Sequence, residues 1–275
     1  MMIESIQAAC FSPTHTTQRL VAHLTATLAK ALKVECVDND FTLPGGRLQA
    51  MQGRPGELWV VGLPVYAGRL PNLLLKYLDT WEGNGALALP VVMYGNRSYG
   101  NALIELQDLL LHKGFRPVGG AAFVGRHSFA RALAVGRPDA SDLAVATGFA
   151  SDIAGRVNRY LESGTLPELH IKGQGTPDYG GYYQPLGEDG LPARFLKAKP
   201  ETTEACNSCG RCAAVCPMGS IDAEHPTEVV GVCIKCNACV HVCPQNAKVF
   251  TDEAYLSHIR FLENRCTTPA AIELF

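Results

Sequence analysis

Short apolar runs alternate with segments of helical periodicity along the first 160 or so residues of the chain. The runs have the length of strands, and several are apolar throughout, which is typical of strands covered on both faces. The predicted strands are residues 3–11, 34–37, 58–63, 87–94 and 121–124. Between them, apolar residues recur three or four positions apart, as on one face of a helix. The predicted helices centre on residues 20–32, 73–81, 103–110 and 149–161.

This alternation predicts an α/β fold, with a doubly wound parallel sheet of five strands and helices on both faces. The second crossover, residues 41–54, is rich in Gly, Pro and Gln and is predicted to be irregular. Five strands in about 160 residues suit the smaller doubly wound arrangement, whose ligands bind at the carboxyl ends of the strands. The residues that follow each strand therefore carry the information about function.

The loop after the first strand leads directly into a helix and is rich in hydroxyl groups. It consists of Ser12, Pro13, Thr14, His15, Thr16 and Thr17. Hydroxyls at this spacing, together with the free amides of a helix N-terminus, form a phosphate cradle. The loop lacks both the GK[ST] element of a P-loop and the glycine fingerprint of dinucleotide-binding folds. The alternative interpretation is an ordinary Ser/Thr helix cap.

Two further loops combine aromatic rings with glycines. They are Pro64, Val65, Tyr66, Ala67 and Gly68 after the third strand, and Tyr94, Gly95, Asn96, Arg97, Tyr99 and Gly100 after the fourth. Each loop alone is equally well interpreted as a turn with a packed tyrosine, and Arg97 as part of a surface ion pair. Because all three loops emerge at one edge of the sheet, together they predict one phosphate site and two walls for a flat heteroaromatic ring.

On these residues, the first domain, predicted to span residues 1–164, resembles a flavodoxin. The phosphate loop of that family has the pattern Ser/Thr-x-Thr-Gly-x-Thr, and Ser12, Thr14 and Thr17 stand at the matching positions. The other two loops match the places where flavodoxins hold the isoalloxazine ring, so the resemblance implies bound FMN. His15 stands where the family has glycine. Its side chain is expected to strain the loop, to narrow the site, or to contribute charge to the phosphate.

Residues 165–200 change character and are predicted to form a connector. Six Gly and five Pro occupy these positions, as in irregular chain. Four aromatic residues are interspersed, namely Tyr179, Tyr182, Tyr183 and Phe195, whereas a flexible spacer needs few aromatics. Two interpretations remain open: an ordered segment that packs near the edge of the flavin, and a mobile surface loop.

The strongest signal in the chain is a duplicated cysteine pattern. Of the 11 cysteines, eight lie in two runs of the form C-x₂-C-x₂-C-x₃-C-P, the first being Cys206, Cys209, Cys212 and Cys216, and the second Cys233, Cys236, Cys239 and Cys243. Zinc sites favour two cysteine pairs with a longer loop between them, and disulfides favour an oxidising compartment. Both alternatives are therefore weak.

These runs resemble a bacterial-type two-cluster ferredoxin over residues 201–252, a small α+β domain. In such ferredoxins the fourth cysteine of each run binds the cluster of the other run. The resemblance therefore implies two 4Fe–4S clusters with crossed ligands. One is held by Cys206, Cys209, Cys212 and Cys243, and the other by Cys233, Cys236, Cys239 and Cys216.

Composition narrows the class of protein further. The chain has 24 basic and 26 acidic residues and a net charge of −2, so we expect no nucleic-acid partner. We also expect no membrane span, because no apolar run approaches the length that one requires. The N-terminus lacks the basic flank of a secretory signal, and with the cysteine usage this predicts a cytoplasmic protein.

Two further features have structural interpretations. Residues 253–275 are predicted to be a C-terminal tail. His127 is predicted to be a helix cap or a surface residue rather than a cavity residue.

The order of the parts resembles that of flavodoxin–ferredoxin fusion proteins. This resemblance implies an iron–sulfur flavoprotein oxidoreductase. Electrons would pass between a redox partner protein (a ferredoxin-like carrier or a larger oxidoreductase), the two clusters and FMN, with a small substrate at the flavin. Two alternatives remain: a non-catalytic electron carrier that docks on a larger enzyme, and a flavin-free ferredoxin whose first domain serves only for docking. No catalytic acid or base is predicted.

Overall fold

The structure is a computed structural model that describes residues 2–173 and 179–275. Residues 174–178, part of the predicted connector, lie outside the described residues. The strands are β1 (Ser5–Cys10), β2 (Glu35–Asp40), β3 (Glu57–Pro64), β4 (Leu87–Tyr94), β5 (Arg116–Pro117), β6 (Ala121–Val124), β7 (Glu201–Thr202), β8 (Lys248–Val249) and β9 (Glu273–Leu274). The helices are α1 (Thr16–Leu32), α2 (Leu75–Leu78), α3 (Ala102–His112), α4 (Ala140–Ser163), α5 (Arg211–Ala214), α6 (Ala238–Val242) and α7 (Glu253–Arg265).

The main sheet has the strand order β2-β1-β3-β4-β6, and all of these neighbours are parallel. This is the order of the flavodoxin-like doubly wound fold, so the predicted fold class is confirmed. Each of the predicted strands is present. The irregular second crossover contains one short 3₁₀ helix, Pro44–Arg47. The edge strand β2 is largely exposed, whereas every residue of β4 is buried.

Helices cover the two faces of the sheet and enclose two separate hydrophobic cores. On one face α1 packs with α4, through residues such as Leu24 and Val157, which are fully buried. On the other face α2 and α3 pack over the sheet, and both tryptophans, Trp59 and Trp81, are buried there. These helices do not cover the carboxyl ends of the central strands. The edge of the sheet at which ligands bind in this type of fold is therefore open to the rest of the chain.

The C-terminal residues 253–275, predicted as a tail, form a helix and a strand that return to the first domain. Strand β9 pairs antiparallel with β6, and Phe275 and Gly120 exchange backbone hydrogen bonds of 2.9 and 3.3 Å. Helix α7 carries buried residues on one face, among them Tyr255 and His258. The segment thereby extends the sheet and places α7 above its carboxyl edge.

The segment that carries the cysteine runs is small and has little regular structure. Strands β7 and β8 pair antiparallel, and α5 and α6 are four and five residues long.

The connector approaches the first domain, because Tyr183 N donates to Ala67 O (2.8 Å) and the Tyr182 hydroxyl donates to Leu70 O (2.8 Å). Among the described residues, no helix combines the length and apolarity needed to cross a membrane.

Candidate functional site

A cavity of about 220 Å³ lies at the carboxyl ends of β1, β3, β4 and β6. Twelve of the site residues predicted from the sequence line it: Ser12, Pro13, Thr14, Thr16, Thr17, Pro64, Val65, Tyr66, Ala67, Tyr94, Gly95 and Arg97. The three predicted loops therefore meet at one cavity. Five predicted residues do not line it, namely His15, Gly68, Asn96, Tyr99 and Gly100.

The phosphate loop (residues 12–17) is held in place by hydrogen bonds from the backbone. Ser12 N donates to the Thr42 hydroxyl (2.8 Å), and Gln18 N donates to the Ser12 hydroxyl (3.0 Å). Helix α1 begins at Thr16, and the first amides of a helix have no partner within the helix. These amides and the positive end of the helix dipole favour an anion. The loop is therefore suited to a phosphate group.

His15 adopts the left-handed backbone conformation. This conformation accounts for the glycine that the flavodoxin pattern has at the same position. Its φ is 61°, a region that histidine visits more readily than most residues but glycine adopts without cost. The side chain is exposed, and its Nδ1 hydrogen-bonds with Gln18 Oε1 at 2.9 Å. The ring points away from the cavity, so the expected narrowing of the site does not occur. The backbone conformation of His15 is still less favourable in energy than it would be for glycine.

The residues of the second and third loops that do not line the cavity have structural roles. The rings of Tyr94 and Tyr99 pack 5.6 Å apart, and both residues are buried. Gly68 and Gly100 let the two loops touch through their backbones, since a Cβ on Gly100 would lie 2.5 Å from Gly68 O. The expectation that Tyr99 forms a wall for the ring is therefore corrected: it is a core residue.

Asn96 binds the C-terminal segment. Its side-chain amide donates to Cys266 O (2.6 Å) and Thr268 O (3.0 Å), and its carbonyl oxygen accepts from Ala270 N (3.0 Å). The residue itself is buried and has a φ of 66°. Asn96 thus ties the loop after β4 to the chain between α7 and β9.

A buried ion pair supports the loop after β3. Arg69 donates from Nε and Nη2 to the two carboxylate oxygens of Glu105, both at 2.7 Å, and Leu70 N donates to the same carboxylate at 2.9 Å. The hydrogen bonds with Glu105 raise the pKa of Arg69. The guanidinium also lies 4.8 and 5.0 Å from the rings of Tyr179 and Tyr182. Since Arg69 and Tyr66 exchange backbone hydrogen bonds, the pair fixes the tyrosine end of the cavity.

Other parts of the chain complete the cavity, and the sequence did not predict them as site residues. We call them the roof: Tyr183, Pro185 and Phe195 from the connector, Ile234, Lys235 and Cys236 from the second cysteine run, and His258 and Leu262 from α7. The residues that follow β6, His127 among them, also line the cavity. The aromatic content of the connector was the one sequence signal for the roof. Helix α7 gave none.

The eight cysteines of the two runs line two further cavities. The distal cysteine cavity is lined by Cys206, Cys209, Cys212 and Cys243. The proximal cysteine cavity is lined by Cys216, Cys233, Cys236 and Cys239. Each set contains three cysteines of one run and the fourth cysteine of the other, which is the crossed arrangement that the resemblance implied. None of the cysteines, all of which lie in the described residues, forms a disulfide.

Backbone amides point at the sulfurs with the same spacing in both runs. The first cysteine of each run accepts from the amide two residues later, as in Lys235 N to Cys233 Sγ (3.3 Å). The fourth accepts from the amide four residues later, as in Ala247 N to Cys243 Sγ (3.2 Å). Such donors stabilise charge on ligating sulfurs. Within the described chain, no three His, Cys, Asp or Glu side chains share a single metal-ion position; in a 4Fe–4S cube each thiolate binds a different iron.

Two of the proximal thiols, Cys236 and Cys239, are buried, and Cys216 and Cys233 are partly buried. Burial raises the pKa of Cys239 to about 12 and raises that of Cys236 as well. A thiol in such surroundings becomes a thiolate when a metal ion supplies positive charge. The proximal residues therefore fit a bound iron–sulfur cluster, both in their number and in their surroundings.

The proximal cysteine cavity shares a wall with the main cavity. Cys236 and Ile234 line both of them. The distal cysteine cavity shares no lining residue with the main cavity, its Cys212 packs in one buried cluster with Cys239 of the proximal set, and its Cys209 is exposed. The three cavities thus form a series that runs from the carboxyl edge of the sheet, through the proximal cysteines, to the surface at the distal cysteines.

Comparisons with known proteins found one family match and several similar solved structures. The family described as a 4Fe-4S dicluster domain matches residues 205–248, which contain both cysteine runs. An archaeal flavodoxin is 15% identical to this chain. The match covers 56% of this chain and 99% of the flavodoxin, with a TM-score of 0.41. The Fusobacterium nucleatum flavodoxin bound to flavin mononucleotide is 14% identical, and that match covers 57% of this chain and 98% of the flavodoxin, with a TM-score of 0.38. No curated protein matches the sequence.

Proposed function

We propose that this chain, a flavodoxin-like domain fused to a ferredoxin-like segment, is an iron–sulfur flavoprotein that moves electrons between FMN and two 4Fe–4S clusters. FMN would occupy the main cavity, with its phosphate at the phosphate loop. The proximal cluster would be held by Cys216, Cys233, Cys236 and Cys239, and the distal cluster by Cys206, Cys209, Cys212 and Cys243.

The observation that carries this proposal is the shared wall at Cys236. Because Cys236, a proposed cluster ligand, also lines the main cavity, the two redox groups would lie on either side of a wall formed by Cys236 and Ile234. Each cluster would carry one electron at a time, whereas a flavin accepts one or two. Placing them in one chain makes the transfer intramolecular and independent of encounter.

The protein residues bind and shield these groups. The phosphate loop supplies amides and hydroxyls, and the backbone of Ala67 and Gly95 borders the cavity. The roof residues Tyr183 and Phe195 cover it and limit the access of water. The amides directed at Cys206, Cys216, Cys233 and Cys243 support negative charge on the clusters. These contacts position the redox groups without requiring a catalytic acid or base.

Electrons would enter or leave at the distal end. Cys209 is exposed, so a redox partner protein (a ferredoxin-like carrier or a larger oxidoreductase) would meet the distal cluster there. The flavin-free alternative loses its main support, because the side chain of His15 lies outside the cavity. The carrier and oxidoreductase alternatives differ in whether a small substrate reaches the flavin beneath the roof.

Cofactor analysis of natively purified protein tests this proposal. Anaerobic preparations are expected to contain about eight irons and a matching amount of sulfide per chain, since each cube holds four of each. We expect about one FMN per chain, and weaker binding of riboflavin, which lacks the phosphate. Protein that binds riboflavin as tightly as FMN would contradict the role of the phosphate loop. Colourless anaerobic protein, without iron or flavin, would contradict the whole proposal.

A further inference from the structure

Three side chains that line the main cavity lie outside the phosphate loop. They are Arg97 from the loop after β4, His127 from the loop after β6, and His258 from α7. We propose that these three residues form a subsite for a small carboxylate beside the flavin. The inference rests on the proposed function, because it takes the flavin to occupy the same cavity. It adds the chemical class of the small molecule that would meet the flavin.

Arg97 is a partly buried cation without a carboxylate partner. Its guanidinium lies 3.7 Å from the centre of the Tyr183 ring, and within the described part of the chain no Asp or Glu side chain lies within 4.0 Å of it. Among the other arginines, Arg69 pairs with Glu105 at 2.7 Å and Arg137 with Asp142 at 2.5 Å, whereas Arg47 and Arg156 donate to backbone carbonyls. Burial lowers the pKa of Arg97, although arginine stays charged in proteins.

The cavity around Arg97 contains positive charge and no described negative charge. Arg126 and Lys235 also line it, and among the described lining residues there is neither Asp nor Glu. The Lys235 ammonium is directed elsewhere, donating to Leu196 O (2.8 Å), and Arg126 Nε donates to Arg131 O (3.3 Å). Arg97 is therefore the cation that is left to meet an anion inside the cavity.

His127 lines this cavity, and its hydrogen bonds fix its tautomer. Its Nδ1 accepts hydrogen bonds from Ala130 N (3.1 Å) and Phe129 N (3.4 Å). A neutral ring whose Nδ1 accepts must carry its proton on Nε2. Burial, together with the nearby His258 and Arg97, lowers the pKa of His127 to about 3, so the ring is neutral at physiological pH. Gly95 makes room for the ring, since a Cβ there would collide with it.

His258 presents the opposite tautomer. Its Nδ1 lies 2.8 Å from Leu186 O, and because a carbonyl can only accept, Nδ1 carries the proton. The Nε2 atom is then an acceptor. The ring stacks on Phe195 at 5.5 Å and lies 6.2 Å from Tyr183. The group therefore offers a planar cation, a fixed donor and a fixed acceptor among aromatic rings.

A compact carboxylate fits this set better than a second phosphate does. The planar guanidinium fork matches the two oxygens of a carboxylate, and the Nε2–H of His127 adds a donor. The surrounding rings of Tyr183, Phe195 and Phe129 provide an apolar surface for a short carbon chain. A phosphate has its own place at the phosphate loop. The acceptor on His258 further suits a ligand that carries a hydroxyl group.

Titration of the natively loaded protein tests the subsite. Acetate, lactate, pyruvate and crotonate are added at constant ionic strength, with chloride and inorganic phosphate as comparison anions, and the visible spectrum of the flavin is followed. We expect a saturable change with at least one carboxylate and none with chloride. Arg97→Gln should weaken that binding at least tenfold, in line with the strength of a charge-assisted bidentate contact. Arg54→Gln, at an exposed surface arginine, should leave it unchanged.

The outcomes separate this inference from the proposed function. Protein that contains FMN but shows no saturable response to any of the carboxylates would overturn the subsite alone. If Arg97→Gln instead weakens FMN binding while riboflavin binding is unchanged, Arg97 binds the flavin phosphate and the subsite is also overturned. Protein without FMN would overturn the proposed function, and calorimetric titration of the same carboxylates into that protein would still decide whether Arg97 holds them.

Discussion

Replacing Cys236 with serine is expected to halve the iron content of the chain, from about eight to about four irons. The change removes one ligand of the proximal set and leaves the distal set complete. Because the proximal cluster would stand between the flavin and the distal cluster, we also expect the flavin to lose its fast reduction by electrons that enter at the distal end. Iron and sulfide analysis of anaerobically purified protein measures the first effect. Cys36→Ser, at an exposed cysteine outside both runs, is the matched control.

Pairs of replacements test the crossed arrangement of ligands. Cys216 lies in the first run but lines the proximal cavity with Cys236, so the double variant Cys216→Ser/Cys236→Ser should retain as much iron as either single variant. Cys212 lines the distal cavity, so Cys212→Ser/Cys236→Ser should lose nearly all of the iron. This non-additivity is expected when two residues serve one group. If each run held its own cluster, Cys216→Ser/Cys236→Ser would also lose nearly all of the iron, and Cys212→Ser/Cys216→Ser would instead retain half of it.

Replacing Glu105 with alanine is expected to lower the free energy of unfolding of the first domain by about 3–5 kcal/mol. The carboxylate is 5% exposed and accepts two hydrogen bonds from Arg69 and one from Leu70 N. Removing the carboxylate leaves the buried guanidinium of Arg69 without this counter-charge. The free energy lost in this way is larger than the net contribution of the ion pair to stability. Anaerobic chemical denaturation, followed by the fluorescence of Trp59 and Trp81, reports on this domain because both tryptophans lie in its core.

A surface ion pair provides the comparison for Glu105. Glu188 pairs with Arg260, and both side chains are more than two fifths exposed. Glu188→Ala should therefore cost at most about 1 kcal/mol. Because the Arg69 backbone is hydrogen-bonded to Tyr66, Glu105→Ala should also weaken flavin binding, whereas Glu188→Ala should not. Equal losses of stability in the two variants would show that the buried pair does not support the loop after β3.

Much of the fold could be predicted from local patterns. The central strands β3 and β4 are buried along nearly their whole length, so their sequences are continuous apolar runs that stand out. The cysteine runs were equally clear, because cluster ligands need fixed spacing in the sequence. Three loops at the ends of parallel strands must meet at one edge of the sheet, and this rule predicted the sheet side of the cavity, twelve of its lining residues.

The remaining features depend on contacts between distant parts of the chain. Tyr99 looked like a cavity wall, yet its neighbours in space, Tyr94 and the C-terminal segment, turn it into a core residue. His258 lies far from the predicted loops in sequence, and only the packing of α7 brings it to the cavity. The conformation of His15 was also hidden, because a sequence shows that glycine is missing but not where the side chain that replaces it will point.

The most direct test of the central claim is the rate of electron transfer between the clusters and the flavin in the native protein. Clusters are reduced anaerobically by a pulse of a one-electron donor, and the absorbance of clusters and flavin is followed at several protein concentrations. We expect a first-order transfer whose rate constant does not change with protein concentration, because Cys236 and Ile234 line both cavities and hold the two redox groups side by side in one chain. A rate that rises in proportion to protein concentration, or no transfer at all, would contradict it.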